Sequence, residues 1–105
     1  MDYNQIKDNM PDSDTLDDLT NLFKVLGDNT RAKILYSLKN QELNVTGICE
    51  CVEMNKSAVS HQLRVLRDAK LVKSRKSGKE VYYSLDDEHV RNLLLQTFEH
   101  SLEGK

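Results

Sequence analysis

Between residues 56 and 85 the apolar pattern changes period once, and that change restricts the fold more than any other feature. From Lys56 to Ala69 the apolar residues Val59, Leu63 and Leu66 recur at three- and four-residue intervals, the spacing of one helix face. Beyond Leu71 the period falls to two: Val81, Tyr83 and Leu85 alternate with Tyr82 and Ser84. Leu71–Lys76 and Lys79–Leu85 therefore predict two strands, with Ser77-Gly78 as the turn between them. A helix that runs into a hairpin must bury its apolar face against further helices, because neither element closes a core alone.

The rest of the chain supplies them. Residues 1–12 form a polar stretch ending at Pro11, expected as a flexible arm. Ser13 or Asp14 can cap a helix carrying Leu16, Leu19, Leu22, Phe23 and Leu26, with Gly27 as its stop. Asp28 can cap a second helix from about Asn29 to Lys39, offering Ile34, Leu35 and Leu38 to the core. A short helix from Val45 to Val52 follows the polar Asn40-Gln41-Glu42, and Glu53-Met54-Asn55 makes the turn into the helix at Lys56. Asp86 or Asp87 caps a last helix to about Leu102. The order predicts a mainly α (α+β) domain over 13–105, a winged helix-turn-helix with a two-stranded wing hairpin.

With 105 residues the chain suits one domain. Its first ten residues have no apolar core and no later run reaches membrane-spanning length, so neither a signal peptide nor a membrane partner is expected. Two cysteines are too few for a disulfide framework, which points to the cytoplasm. The net charge of −2 argues against nucleic acid only if the charges are mixed. They are not: residues 56–79 hold eight Lys and Arg against Asp68, whereas residues 1–20 hold six Asp against Lys7. A chain divided in this way can present a cationic face to double-stranded DNA.

The segments LGDNTRAKILYSL (26–38), SAVSHQLRVLRDAKLV (57–72) and SRKSGKEVYYSL (74–85) resemble the ArsR/SmtB family of metal-responsive repressors, and the similarity spans about residues 16–103. Asn29 stands where that family often has Pro, and Glu53 where it often has Gly, which implies an ordinary backbone conformation in the turn. The resemblance implies a homodimer that binds operator DNA without metal and releases it when metal binds. Its DNA-touching positions correspond to Ser57, Ser60 and His61. The residues read compatibly, since Lys56, Ser57, Ser60, His61 and Gln62 occupy the first turns of the recognition helix, with Arg64 one turn on. Small hydroxyls approach base edges, Gln can bond adenine bidentately, and the helix N-terminus can face a phosphate. Arg75, Lys76 and Lys79 on the hairpin would contact the backbone. Ser60 and His61 do not form a catalytic pair, because adjacent helical residues diverge by about 100°, and no enzymatic activity is expected.

On the last helix His89, His100 and Glu103 fall at about 200°, 220° and 160° from Asp87, a narrow face distinct from that of Val90, Leu94, Phe98 and Leu102. His89 and His100 are separated by about 16 Å of helical rise, so one helix cannot close a shell of zinc ligands at about 2.0–2.2 Å. Two helices antiparallel across a dimer axis can, joining Asp87 and His89 of one to His100 and Glu103 of the other. Two nitrogens and two oxygens suit tetrahedral Zn(II), and the spacing resembles the zinc-sensing branch of the family. Co(II) or Ni(II) sensing is the alternative effector chemistry. Cys49 and Cys51 project about 200° apart on their helix and do not converge on one metal. Cys49 suits packing, while Cys51 leaves a thiol-based redox response as a further alternative. A metal-storage or scaffold protein that has lost DNA binding is the reading from another class.

Overall fold

The computed structural model describes residues 2–105, and among them six helices and three strands follow in the order α1 (Tyr3–Asp8), α2 (Ser13–Leu26), α3 (Asn29–Ser37), β1 (Leu43–Asn44), α4 (Val45–Val52), α5 (Lys56–Asp68), β2 (Val72–Ser77), β3 (Glu80–Leu85) and α6 (Glu88–Glu103). Each helix starts at an Asp or Asn whose carboxylate or amide oxygen accepts from a backbone N–H of the first turn, which satisfies a donor that helix geometry leaves free. Asp28 accepts from Arg31 at 3.0 Å, Asn44 from Gly47 at 2.8 Å and Asn55 from Ala58 at 2.8 Å. For α2 the cap is Asp12, bonded to Thr15 N–H at 2.8 Å, rather than Ser13 or Asp14.

The core is shared by α3 to α6 and the sheet. Ile34, Leu35, Ile48, Val59, Leu63, Leu66 and Val72 have almost no accessible surface. The inward residues of α5 are those its periodicity marks. Polar ties seat α6 on α3: the Tyr36 hydroxyl donates to the Leu94 carbonyl at 3.0 Å, and Arg91 donates to the Lys39 carbonyl and the Asn40 amide oxygen at 3.1 and 2.9 Å.

Two elements are added to those expected, and two expectations are corrected. Within the stretch expected as a flexible arm, Tyr3–Asp8 form an exposed helix capped by Asp2 that the sequence pattern does not announce. The two-stranded wing hairpin forms as expected from β2 and β3, and β1 adds a third strand to it in the antiparallel order β1-β3-β2. Leu43 pairs with Tyr83 and Asn44 with Tyr82, so β3 is flanked on both sides over this stretch. The hairpin turn is Gly78-Lys79, one residue later than Ser77-Gly78, because Ser77 pairs with Glu80. Gly78 takes φ +63° and Lys79 does not, the type II′ pattern that demands Gly first. Finally, Glu53 does not adopt an ordinary conformation: at φ 57°, ψ 49° it is left-handed. The chain must reverse between α4 and α5 whichever residue stands there, and the left-handed step lets the Met54 N–H reach the Cys49 carbonyl at 3.3 Å.

Candidate nucleic-acid interface and metal ligands

The core face of α5 decides what its other face can do. Val59, Leu63 and Leu66 point inward, and Ser57, Ser60, His61 and Arg64 then lie within an arc of about 100° on the opposite side. All four are exposed, as is Lys56 at the helix start. Gln62 sits on the shoulder of the helix and is half-buried, its Oε1 accepting from Arg31 at 3.4 Å. Arg31 also donates to the Val25 carbonyl at 2.7 Å, so one guanidinium ties the end of α2 to α5.

The strands place the wing cations on two different sides. Successive residues of β2 alternate, which puts Ser74 and Lys76 on one face and Lys73 and Arg75 on the other. The first face adjoins α5: Arg67 donates to the Ser74 hydroxyl at 3.4 Å, and Ser60, Arg64, Arg67, Asp68 and Tyr83 line a groove of about 500 Å³. On the second face the Arg75 Nε donates to both carboxylate oxygens of Glu42, at 2.7 and 3.0 Å, and its guanidinium lies 4.9 Å from the Tyr82 ring centre. This hydrogen bond holds the Glu42 carboxyl below its ordinary range and raises Arg75 further. Lys76 and Lys79 are exposed. Arg67 is the residue of this surface that sequence reasoning passed over, although its position three after Arg64 places it beside the same face.

The metal-ligand candidates occupy both ends of α6. Asp87 caps the helix, Oδ1 accepting from the Val90 N–H at 3.1 Å, with Oδ2 lying 3.4 Å from His89 Nδ1. The Val90 N–H, with a smaller contribution from His89, holds the Asp87 carboxyl below its ordinary value. The His89 side chain is 97% exposed, and no other side chain among the described residues engages it. His100 and Glu103 are exposed in the last turn. Among the described residues no three His, Cys, Asp or Glu side chains come together to hold a metal. Cys49 is half-buried and Cys51 exposed.

A helix-turn-helix pair with a sheet-anchored basic hairpin beside its second helix defines a winged helix-turn-helix transcription regulator, not an enzyme. Residues 28–74 match the bacterial regulatory protein, arsR family. The chain is 38% identical over 100 residues to the transcriptional repressor SmtB homolog of Synechocystis sp., covering 95% of this chain and 76% of that one. It is 45% identical over 87 residues to the cadmium resistance transcriptional regulatory protein CadC homolog of Staphylococcus aureus, covering 82% and 72%. In structure it is similar to a homodimeric winged helix-turn-helix DNA-binding domain from Mycobacterium bovis, with a TM-score of 0.83, 28% identity and 91% of each chain covered. The chain belongs to the arsR family of bacterial regulatory proteins.

Proposed function

We propose that this chain is a cytoplasmic, homodimeric, metal-responsive repressor that holds operator DNA when metal-free and releases it when Zn(II) binds between subunits, derepressing genes of metal efflux or homeostasis. The observation that carries the metal assignment is the placement on α6: Asp87 and His89 adjoin at its start, and His100 and Glu103 share a face at its end. Two imidazoles and two carboxylates form a donor set that zinc accepts. One chain does not gather three of them, so the site calls for a second copy, as in the homodimeric Mycobacterium bovis domain. The name of the Staphylococcus aureus relative refers to cadmium resistance, which supports a metal effector of some kind. DNA binding is assigned to Lys56, Ser57, Ser60, His61, Gln62 and Arg64 on α5 and to Lys76 and Lys79 on the wing, with Arg75 held by Glu42 beside them.

The effector acts through differential affinity. If zinc binds the free dimer more tightly than the DNA-bound dimer, DNA weakens zinc binding by the same factor. A coupling of about 3 kcal/mol corresponds to a loss of about 150-fold in operator affinity. Fluorescence anisotropy on the DNA upstream of the gene, with chelator and then with Zn(II), tests this directly. Tight binding in chelator and at least tenfold weakening by zinc are expected, and unchanged affinity overturns the zinc assignment. Competition among Zn(II), Co(II) and Ni(II) in the same assay identifies the effector, and Cys51→Ser tests the thiol alternative.

A further inference from the structure

The wing contains a cation that is already neutralised. Arg75 lies opposite Tyr82 in the β2–β3 ladder, and the ring of Tyr82 supports its guanidinium at 4.9 Å. Glu42 reaches the same guanidinium from the other side of β3, because the pairing of Leu43 with Tyr83 brings the preceding residue to that edge. Glu42 and Arg75 are separated by 33 positions in the chain, and the three-stranded order β1-β3-β2 joins them. The single Nε–H of Arg75 is shared between the two carboxylate oxygens of Glu42, with the Tyr82 ring beside the guanidinium, and the pair lies at the surface.

We propose that Glu42 is a specificity-setting residue: it retains Arg75 as an internal ion pair and so limits how strongly the wing grips DNA of any sequence. The proposal rests on the DNA-binding assignment above. Affinity for phosphate comes from cations that displace condensed counterions, and a neutral pair displaces none. Only the Nε of Arg75 is engaged, so its terminal nitrogens can still face a phosphate, but a phosphate placed there also meets the Glu42 carboxylate, and Arg75 acts at full charge only once that pair opens. Lys76 and Lys79 bear no such partner among the described residues. The wing's sequence-independent grip is therefore smaller than its count of basic residues indicates, which leaves the base-facing residues of α5 a larger share of operator choice.

The test is a double-mutant cycle on a non-operator duplex, with anisotropy titrations from about 50 to 200 mM salt. Glu42→Gln is expected to tighten binding and to steepen the log–log salt dependence by about 0.9, a three- to fourfold larger loss across that range. Arg75→Gln in the otherwise unchanged protein is expected to move the slope by less than half as much, and the double variant to return to the parental slope. If Arg75→Gln alone flattens the slope by the full amount, Arg75 already contacts DNA and the proposal fails. If Glu42→Gln acts equally with and without Arg75, its effect is general charge and the proposal also fails. Should the unsubstituted protein bind neither this duplex nor the operator region at low salt, the DNA-binding assignment falls and takes this inference with it.

Discussion

Two residues with side chains occupy backbone conformations usually left to glycine, and both lie at ends of the helix-turn-helix helices. Glu53 follows α4 and Lys70 follows α5, at φ 57° and 61°. At Lys70 the Leu71 N–H bonds the Leu66 carbonyl at 2.9 Å and the Lys70 N–H the Arg67 carbonyl at 3.0 Å, the paired bonds of a Schellman stop. A Cβ in the left-handed region costs about 1–2 kcal/mol, so Glu53→Gly is expected to raise unfolding stability by about 1 kcal/mol in urea melts without changing the fold. Asp87 serves two purposes at one position, as helix cap and candidate ligand. Because Asn caps as well as Asp, Asp87→Asn should retain thermal stability while weakening zinc binding, whereas Asp87→Ala should lose both. Equal zinc affinity for Asp87→Asn in a chelator-competition titration would remove this residue from the metal site. The cap also makes stability acid-sensitive. Its carboxyl titrates lower when folded than its ordinary value of 3.8, so its contribution is complete above that pH and is lost as pH falls through the lowered value.

At the scale of elements, α2 is a helix without a buried residue. Leu22, Val25 and Leu26 rest partly on the core, but Leu16, Leu19 and Phe23 are exposed, and so are Leu93, Phe98 and Leu102 of α6. An apolar stripe of this extent on two helices suits a partner's surface. With a homodimer as the proposed state, Phe23→Glu should shift the sedimentation mass toward one chain while leaving the helical circular dichroism intact; an unchanged mass would take α2 out of the interface. Helices α2 to α6 were legible because apolar spacing and Asp or Asn caps are local signals, whereas α1, with no buried residue, shows no apolar period. β1 was not, since two residues carry no period and its existence depends on the edge that β3 presents. The same limit applies to the site. His61, His89 and His100 could be placed on faces by counting, but the capture of Arg75 by Glu42 depends on sheet order and no local pattern announces it. Nor could the geometry at Glu53 be read from residue type, because the reversal is imposed by the helices on either side.

At the scale of the whole molecule, the radius of gyration is 16.6 Å, against about 13 Å for a compact chain of this length. Extents of 58 × 34 × 22 Å describe a body whose core occupies only part of its length. The basic stretch of residues 56–79 is confined to α5 and the wing, which lets a chain of net charge −2 present a cationic surface. β2 pairs on one side only, and Val72 is its single buried residue, leaving an open strand edge dressed with Lys73, Arg75 and Lys76. Such an edge invites a strand from another molecule unless like charges keep it away. The wing lysines thus guard solubility as well as serving the DNA contact proposed for them. A DNA-blind protein made by neutralising them is expected to form aggregates detectable by light scattering, and one made by His61→Ala is expected to stay dispersed, so the recognition helix is the safer place to disarm this molecule.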